Sequence, residues 1–137
     1  MMSALARVLG GRRLAAPAGV PDGVAIVRGR WIPALSGRLA GMRQAAAAVT
    51  IGRTIVVHDE VPLTPRLLRH ELEHVRQWSA QPLAFPALYL WEHLRRGYRA
   101  NRFEVAARQA EAGAFTGGGD VDRRRDAGAV REGGGAA

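Results

Sequence analysis

With 137 residues, 47% of them hydrophobic and 23% charged, the chain is expected to form one domain around one modest core. It has no cysteine, which excludes disulfides, a thiol nucleophile and a cysteine-held iron–sulfur cluster, so any metal must be held by His, Asp or Glu. The net charge is +8 and all 20 basic residues are arginine, yet they are scattered along the chain with no nucleic-acid recognition motif beside them, so no specific nucleic-acid partner is expected.

Residues 1–22 are rich in Ala, Arg, Gly and Pro and read as an N-terminal extension, with a short helix over Ser3–Leu9. The Met1–Gly11 stretch lacks the apolar centre of a signal peptide. A domain follows over 23–115. Val24–Val27 reads as a strand, and Pro33–Gly41, with its Pro, Ser and Gly, as a loop. Ala48–Ile51 and Thr54–Val57 are apolar, β-branched runs around Gly52-Arg53, which predicts an antiparallel hairpin or, alternatively, one long strand over 48–57 with a bulge at Gly52. Thr64-Pro65 is a strong helix start, with an N-cap hydroxyl followed by a proline at the first helical position, and the helix should run to about Ser79. Within it, Leu68, Leu72, Val75 and Ser79 line one face, and Leu67, His70, Glu71, His74 and Trp78 line the adjoining one.

A second helix starts at Pro86 and runs to Gly97, and a third from about Asn101 to Ala112. The longest apolar run, Pro82–Trp91, is too short to span a bilayer. A buried core helix is the preferred reading of it over a surface-bound one. A cytoplasmic location without a transmembrane segment is therefore expected, with peripheral membrane contact left open. Residues 116–137 contain 7 of the 17 glycines and balance 4 Arg against 4 acids, which predicts a disordered tail. Nothing here fixes the oligomeric state. The fold class expected from these elements is α+β: a small antiparallel sheet packed on the motif-bearing helix and two further helices.

The chemistry concentrates in His70-Glu71-Leu72-Glu73-His74, an H-E-x-x-H pattern on a helix. Residues four apart share a helix face, so the two imidazoles can bind one metal ion, and Glu71 can serve as general base toward a zinc-activated water. The bland alternative is a solvated helix in which Glu71 and Glu73 pair with Arg69 or Arg76. Catalytic zinc needs a third protein ligand. Glu104 on the third helix is the first choice, with Glu92, His93 and Glu111 behind it. Glu104 also stands three residues after Asn101, which is close to a capping box, so it could instead cap its own helix. His58, before Asp59-Glu60, reads as a satisfied turn residue.

The segment His70–Gln77 resembles the H-E-x-x-H-V-x-Q segment of small bacterial gluzincin-like zinc metallopeptidases, and Tyr98–Ala106 resembles their Y-x-x-N-P-x-E-x-x-A segment. The resemblance implies a minimal zincin-like fold, a zinc cofactor, and peptide-bond hydrolysis of a peptide or protein substrate. It also implies Glu104 as third ligand beside His70 and His74, and an edge strand beside the cleft to hold an extended substrate. Arg102 stands where Pro is common in that segment. The oxyanion-stabilising residue is not placed: Tyr89, Tyr98, Arg69 and Arg99 are candidates, and Gln77 is a candidate hydrogen-bond partner behind the histidines. Two other readings use the same sequence, a non-catalytic zinc-binding domain of this fold and a basic protein that binds nucleic acid or an anionic surface.

Overall fold

The computed structural model describes residues 11–39 and 46–113. The expected Ser3–Leu9 helix and the 116–137 tail lie outside the described residues. Among the described residues the fold is α+β, a four-stranded sheet with four helices. Strands β1 (Arg12–Arg13), β2 (Ala25–Arg28), β3 (Ala48–Ile51) and β4 (Thr54–Val57) form a sheet of order β1-β2-β4-β3. The helices are α1 (Trp31–Leu39), α2 (Pro65–Ala80), α3 (Phe85–Ala100) and α4 (Arg102–Ala112).

The hairpin forms as its sequence predicts: β3 and β4 pair antiparallel, Thr50 opposite Ile55. The sheet as a whole is mixed rather than antiparallel, because β2 runs parallel to β4 with Ile26 beside Ile55. A parallel neighbour needs a long crossover, and the segment from Gly29 to Arg53, which includes α1 and β3, supplies it. Within the stretch expected to be an extension, Arg12–Arg13 pair antiparallel with β2, and Leu14 packs on the core.

The expected loop at Pro33–Gly41 is instead helical as far as Leu39. Pro33 falls in the first turn of α1, where its missing N–H leaves no intrahelical bond unmade. Pro33 and Gly37, four apart, are both buried, so the residues that read as breakers are the ones that let this helix lie close to its neighbours. It contacts β3 and β4.

Val24, Ile26, Ile55 and Val57 bury against Leu68 and Val75 of α2, with Leu67 and Leu72 packed at the margin. The intervening strand residues Val27 and Val56 face the other side of the sheet and are also fully buried. Arg28 ties the loop between β4 and α2 in place by donating to the carbonyls of His58, Asp59 and Val61 at 2.9–3.1 Å. Helix α2 starts as expected, with the Thr64 hydroxyl accepting from the Leu67 N–H at 3.1 Å.

Helix α3 is regular only to Arg96. Gly97 has φ 73° and ψ 169°, a conformation that is essentially restricted to glycine. The break ends the rod, brings Tyr98 to the cavity described below and delivers Asn101 as the cap of α4. The Pro82–Trp91 run does not make the buried core helix that was expected. Phe85 is buried, but Leu83, Leu90 and Trp91 face outward.

Candidate metal centre

Helices α2 and α4 pack together and bring His70, His74 and Glu104 to one point. The Nε2 atoms of His70 and His74 are 3.2 Å apart. Glu104 Oε2 is 3.4 Å from His70 Nε2, and Glu104 Oε1 is 3.3 Å from His74 Nε2. A tetrahedral zinc with bonds of roughly 2.0–2.1 Å requires ligand atoms about 3.3–3.4 Å apart. The three donors are therefore already at the spacing such an ion needs.

The tautomers point the same way. His74 Nδ1 is 2.9 Å from Gln77 Oε1, and the Gln77 amide is oriented by its Nε2 donating to the Phe103 carbonyl at 3.1 Å. His70 Nδ1 is 2.8 Å from Glu111 Oε1. Each Nδ1–H thus donates away from the centre, and each Nε2 lone pair faces inward. Two imidazole lone pairs and a carboxylate converging in a buried place repel one another unless a cation sits among them. Glu104 Oε2 is buried without a hydrogen-bond partner, as a vacant ligand atom would be. These three residues could hold a metal ion.

The competing capping role for Glu104 does not hold. Asn101 caps α4 with its own side chain, Oδ1 accepting from the Phe103 N–H at 3.0 Å, while the Asn101 N–H bonds the Gly97 carbonyl. Glu104 is left free to turn inward, where the Tyr89 hydroxyl donates to its Oε1 at 2.7 Å. Asn101, completely buried, also donates to the Tyr89 carbonyl at 3.2 Å, so one asparagine fixes both the helix that carries Glu104 and the tyrosine that holds it.

The electrostatics follow this geometry. Burial works to raise the Glu104 pKa, but in the metal-free site protonated His70 and His74 rings, with the Tyr89 hydroxyl, would hold it far below the usual carboxylate range. Burial works to lower the two imidazoles, and Glu104 as hydrogen-bond partner, with the negative charge of Glu71, raises both. Glu71 is the opposite case: burial pushes its pKa up, against the pull of His74 and the Thr50 hydrogen bond. The Tyr89 phenol is pushed well up by burial and by the Glu104 charge.

Glu71 does not join the three ligands. The Thr50 hydroxyl donates to its Oε2 at 2.7 Å. Both residues line a cavity of about 560 Å³ that also holds His70, His74, Glu104, Tyr89, Tyr98 and His93. Strand β3 is an edge of the sheet, and Ala46 to Thr50 form one wall of this cavity. The solvated-helix alternative fails for Glu71, which is 3% exposed, and holds only for Glu73, which makes a two-point ion pair with Arg76 at 2.6 and 2.8 Å.

The other candidates take supporting or unrelated positions. Glu111 binds Nδ1 of His70 rather than a metal, and Arg66 and Arg69 reach it in turn, through its carboxylate and its carbonyl. Glu92 is paired with Arg96 at 3.3 Å, and Arg102 lies 3.8 Å away. His93 stacks parallel to the Tyr89 ring at 6.5 Å. His58 Nδ1 accepts from the Glu60 N–H at 3.2 Å, the satisfied turn residue expected. Thr50 was not singled out from the sequence. Its signal was a hydroxyl on the inward side of an otherwise apolar hairpin, opposite Ile55.

No described helix is long and apolar enough to cross a membrane. Comparison with curated proteins and with solved structures finds no match. A protein-family comparison does: residues 35–82, somewhat over a third of the chain, are similar to the eCIS core domain, a stretch that takes in the β3–β4 hairpin, Thr50 and all of α2 with His70, Glu71 and His74, and ends before Glu104.

Proposed function

We propose that this protein is a zinc-dependent metallopeptidase in which His70, His74 and Glu104 hold the ion and Glu71 is the general base. The observation that carries this reading is the convergence of three inward-facing donors at tetrahedral-zinc spacing beside a separate, buried carboxylate that faces a cavity. A bound zinc supplies Lewis acidity toward a carbonyl and brings the pKa of water to about 7.

The chain's own groups supply the rest. Glu71 accepts the proton of the attacking water. Its raised pKa suits that exchange, because a base works best when its pKa lies near the operating pH. The Thr50 hydrogen bond fixes which carboxylate oxygen is left for it. Gln77 and Glu111 hold the imidazole rings, and Tyr89 holds Glu104. β3 is an edge strand, and its outward backbone groups would pair with an extended peptide, apart from the Thr50 carbonyl, which accepts from Trp78 Nε1 at 3.2 Å. Tyr98, on the cavity wall, with its phenol pushed up by burial and then by the Glu104 charge, is the proposed donor to the developing oxyanion.

The test pairs metal content with hydrolysis. Purified protein should carry about one zinc per chain, as expected for three protein ligands with a fourth position open to water. Glu71→Gln should keep that zinc and lower the cleavage rate of a peptide library by about 10²–10⁴-fold. Unchanged cleavage in Glu71→Gln would remove Glu71 from the mechanism. Stoichiometric zinc with no cleavage by the unaltered protein would leave a zinc-binding domain without catalysis.

A further inference from the structure

The outward face of α3 is apolar where a surface helix is normally polar. Leu90 and Leu94 are 55% and 75% exposed, Trp91 is 60% exposed, and Leu83 in the preceding turn is 95% exposed. At 100° per residue these four fall within one stripe, opposite Phe85 and Glu92, which are the buried residues of the same helix. A contiguous apolar patch of this kind marks an interaction surface. Arg95 and Arg96 follow it directly, and Arg99 and Arg102 lie just beyond; all four are exposed. Of these, Arg96 and Arg102 share the single carboxylate of Glu92. Arg95 and Arg99 have no carboxylate partner among the described residues.

We infer that this face docks the protein on an anionic lipid surface. Charge complementarity selects that occupant. The stripe is bordered by Arg95, about 40° round the helix from Trp91 and without a carboxylate partner among the described residues, while Arg96 and Arg102 turn to Glu92 on the other side, and the chain has a net charge of +8. A second copy would set like charges against like charges, whereas acidic headgroups receive both parts of the face: acyl chains take the leucines, Trp91 lies at headgroup depth and the guanidiniums meet phosphate. The helix lies on the surface rather than crossing it. Leu90 also lines the cavity of the metal centre, so docking would bring the cavity mouth to the membrane surface. This inference stands whether or not the protein is a peptidase.

The experiment is co-sedimentation of the full chain with vesicles of phosphatidylcholine alone and with phosphatidylglycerol added to about 30%. Binding is expected to the anionic vesicles, weakened at least tenfold by raising salt from about 0.1 to 0.5 M, since surface charge attraction falls off with the Debye length. Leu94→Glu should abolish it and Arg95→Glu should weaken it. Circular dichroism and zinc content should remain as in the unaltered protein, which separates loss of docking from loss of fold. Three results would overturn the inference. One is equal binding to both vesicles. Another is no binding to either, with a concentration-dependent dimer that Leu94→Glu disperses, which assigns the face to a second copy. The third is no binding with a monomer throughout.

Discussion

On one side of α2, Leu68 and Val75 are 5% and 6% exposed; on the other, His70, Glu71, His74 and Gln77 are 9%, 3%, 8% and 7% exposed. Burial is nearly equal, but the two sides are held in different ways. The apolar side rests against Val24, Ile26, Ile55 and Val57, and removal from water is sufficient to hold it there. The polar side would be costly on its own. It persists because each group has a partner: Thr50 for Glu71, Glu111 for His70, and Gln77 for His74. What those partners leave unsatisfied is the centre itself, where three electron-pair donors converge. The apolar side therefore sets stability, and the polar side carries the group that could hold a metal ion.

The sharpest way to break this comparison is to delete one residue from each side. Leu68→Ala is expected to destabilise the fold by about 2–5 kcal/mol, leaving zinc stoichiometry intact while the protein stays folded. His74→Ala should do the reverse. Structural zinc binding of roughly 10–16 kcal/mol shared over four ligands implies a loss of about 3 kcal/mol, or more than 10²-fold in metal affinity. Denaturant unfolding of the metal-free proteins and zinc titration check the two halves. If the metal-free His74→Ala protein lost as much stability as Leu68→Ala, the two sides would not be separable.

A smaller effect sharpens the polar side. Gln77→Ala leaves all three ligands in place but frees the His74 ring, and about 10–100-fold weaker zinc binding is expected. Equal affinity in a competition titration would show that Gln77 only links α2 to the Phe103 carbonyl. Gly97→Ala tests how Glu104 is delivered. A side chain at φ 73°, ψ 169° should cost about 1–3 kcal/mol and misplace the Asn101 cap, so stability and zinc affinity should fall together.

The smallest expected effect is a pH dependence. In the metal-free protein the imidazoles of His70 and His74 have pKa values raised above 6.5, so the folded state binds their protons more tightly than the unfolded chain does. Their contribution to stability is complete below about pH 6.5 and is lost as pH rises through the folded-state values. Thermal melts of metal-free protein should therefore fall across that window, and added zinc should reverse the fall, since it binds the deprotonated rings.

Much of this site is legible in the sequence. The H-E-x-x-H spacing on a helix opened by Thr64-Pro65 depends only on helical geometry and capping, both local, and α2 forms over Pro65–Ala80. The hairpin was legible for the same reason. Pro33 and Gly37 misled because punctuation residues also serve as small contact surfaces, and only neighbouring elements decide which. The Pro82–Trp91 run misled because apolarity says that a face needs covering and does not say by what.

The sequence by itself determined the two histidines, the carboxylate next to one of them, and the helix that aligns them, because a residue's place on a helix follows from its spacing. Whether Glu104 capped its own helix or faced the histidines was decided by tertiary structure alone. Asn101 takes the cap with its own side chain, Gly97 ends the preceding rod, and Tyr89 meets Glu104 from α3. The Asn101 cap and the Gly97 break are local, but the Tyr89 bond to Glu104 and the approach of Glu104 to His70 and His74 join residues on different elements, and such contacts depend on how whole elements pack, which no local pattern encodes.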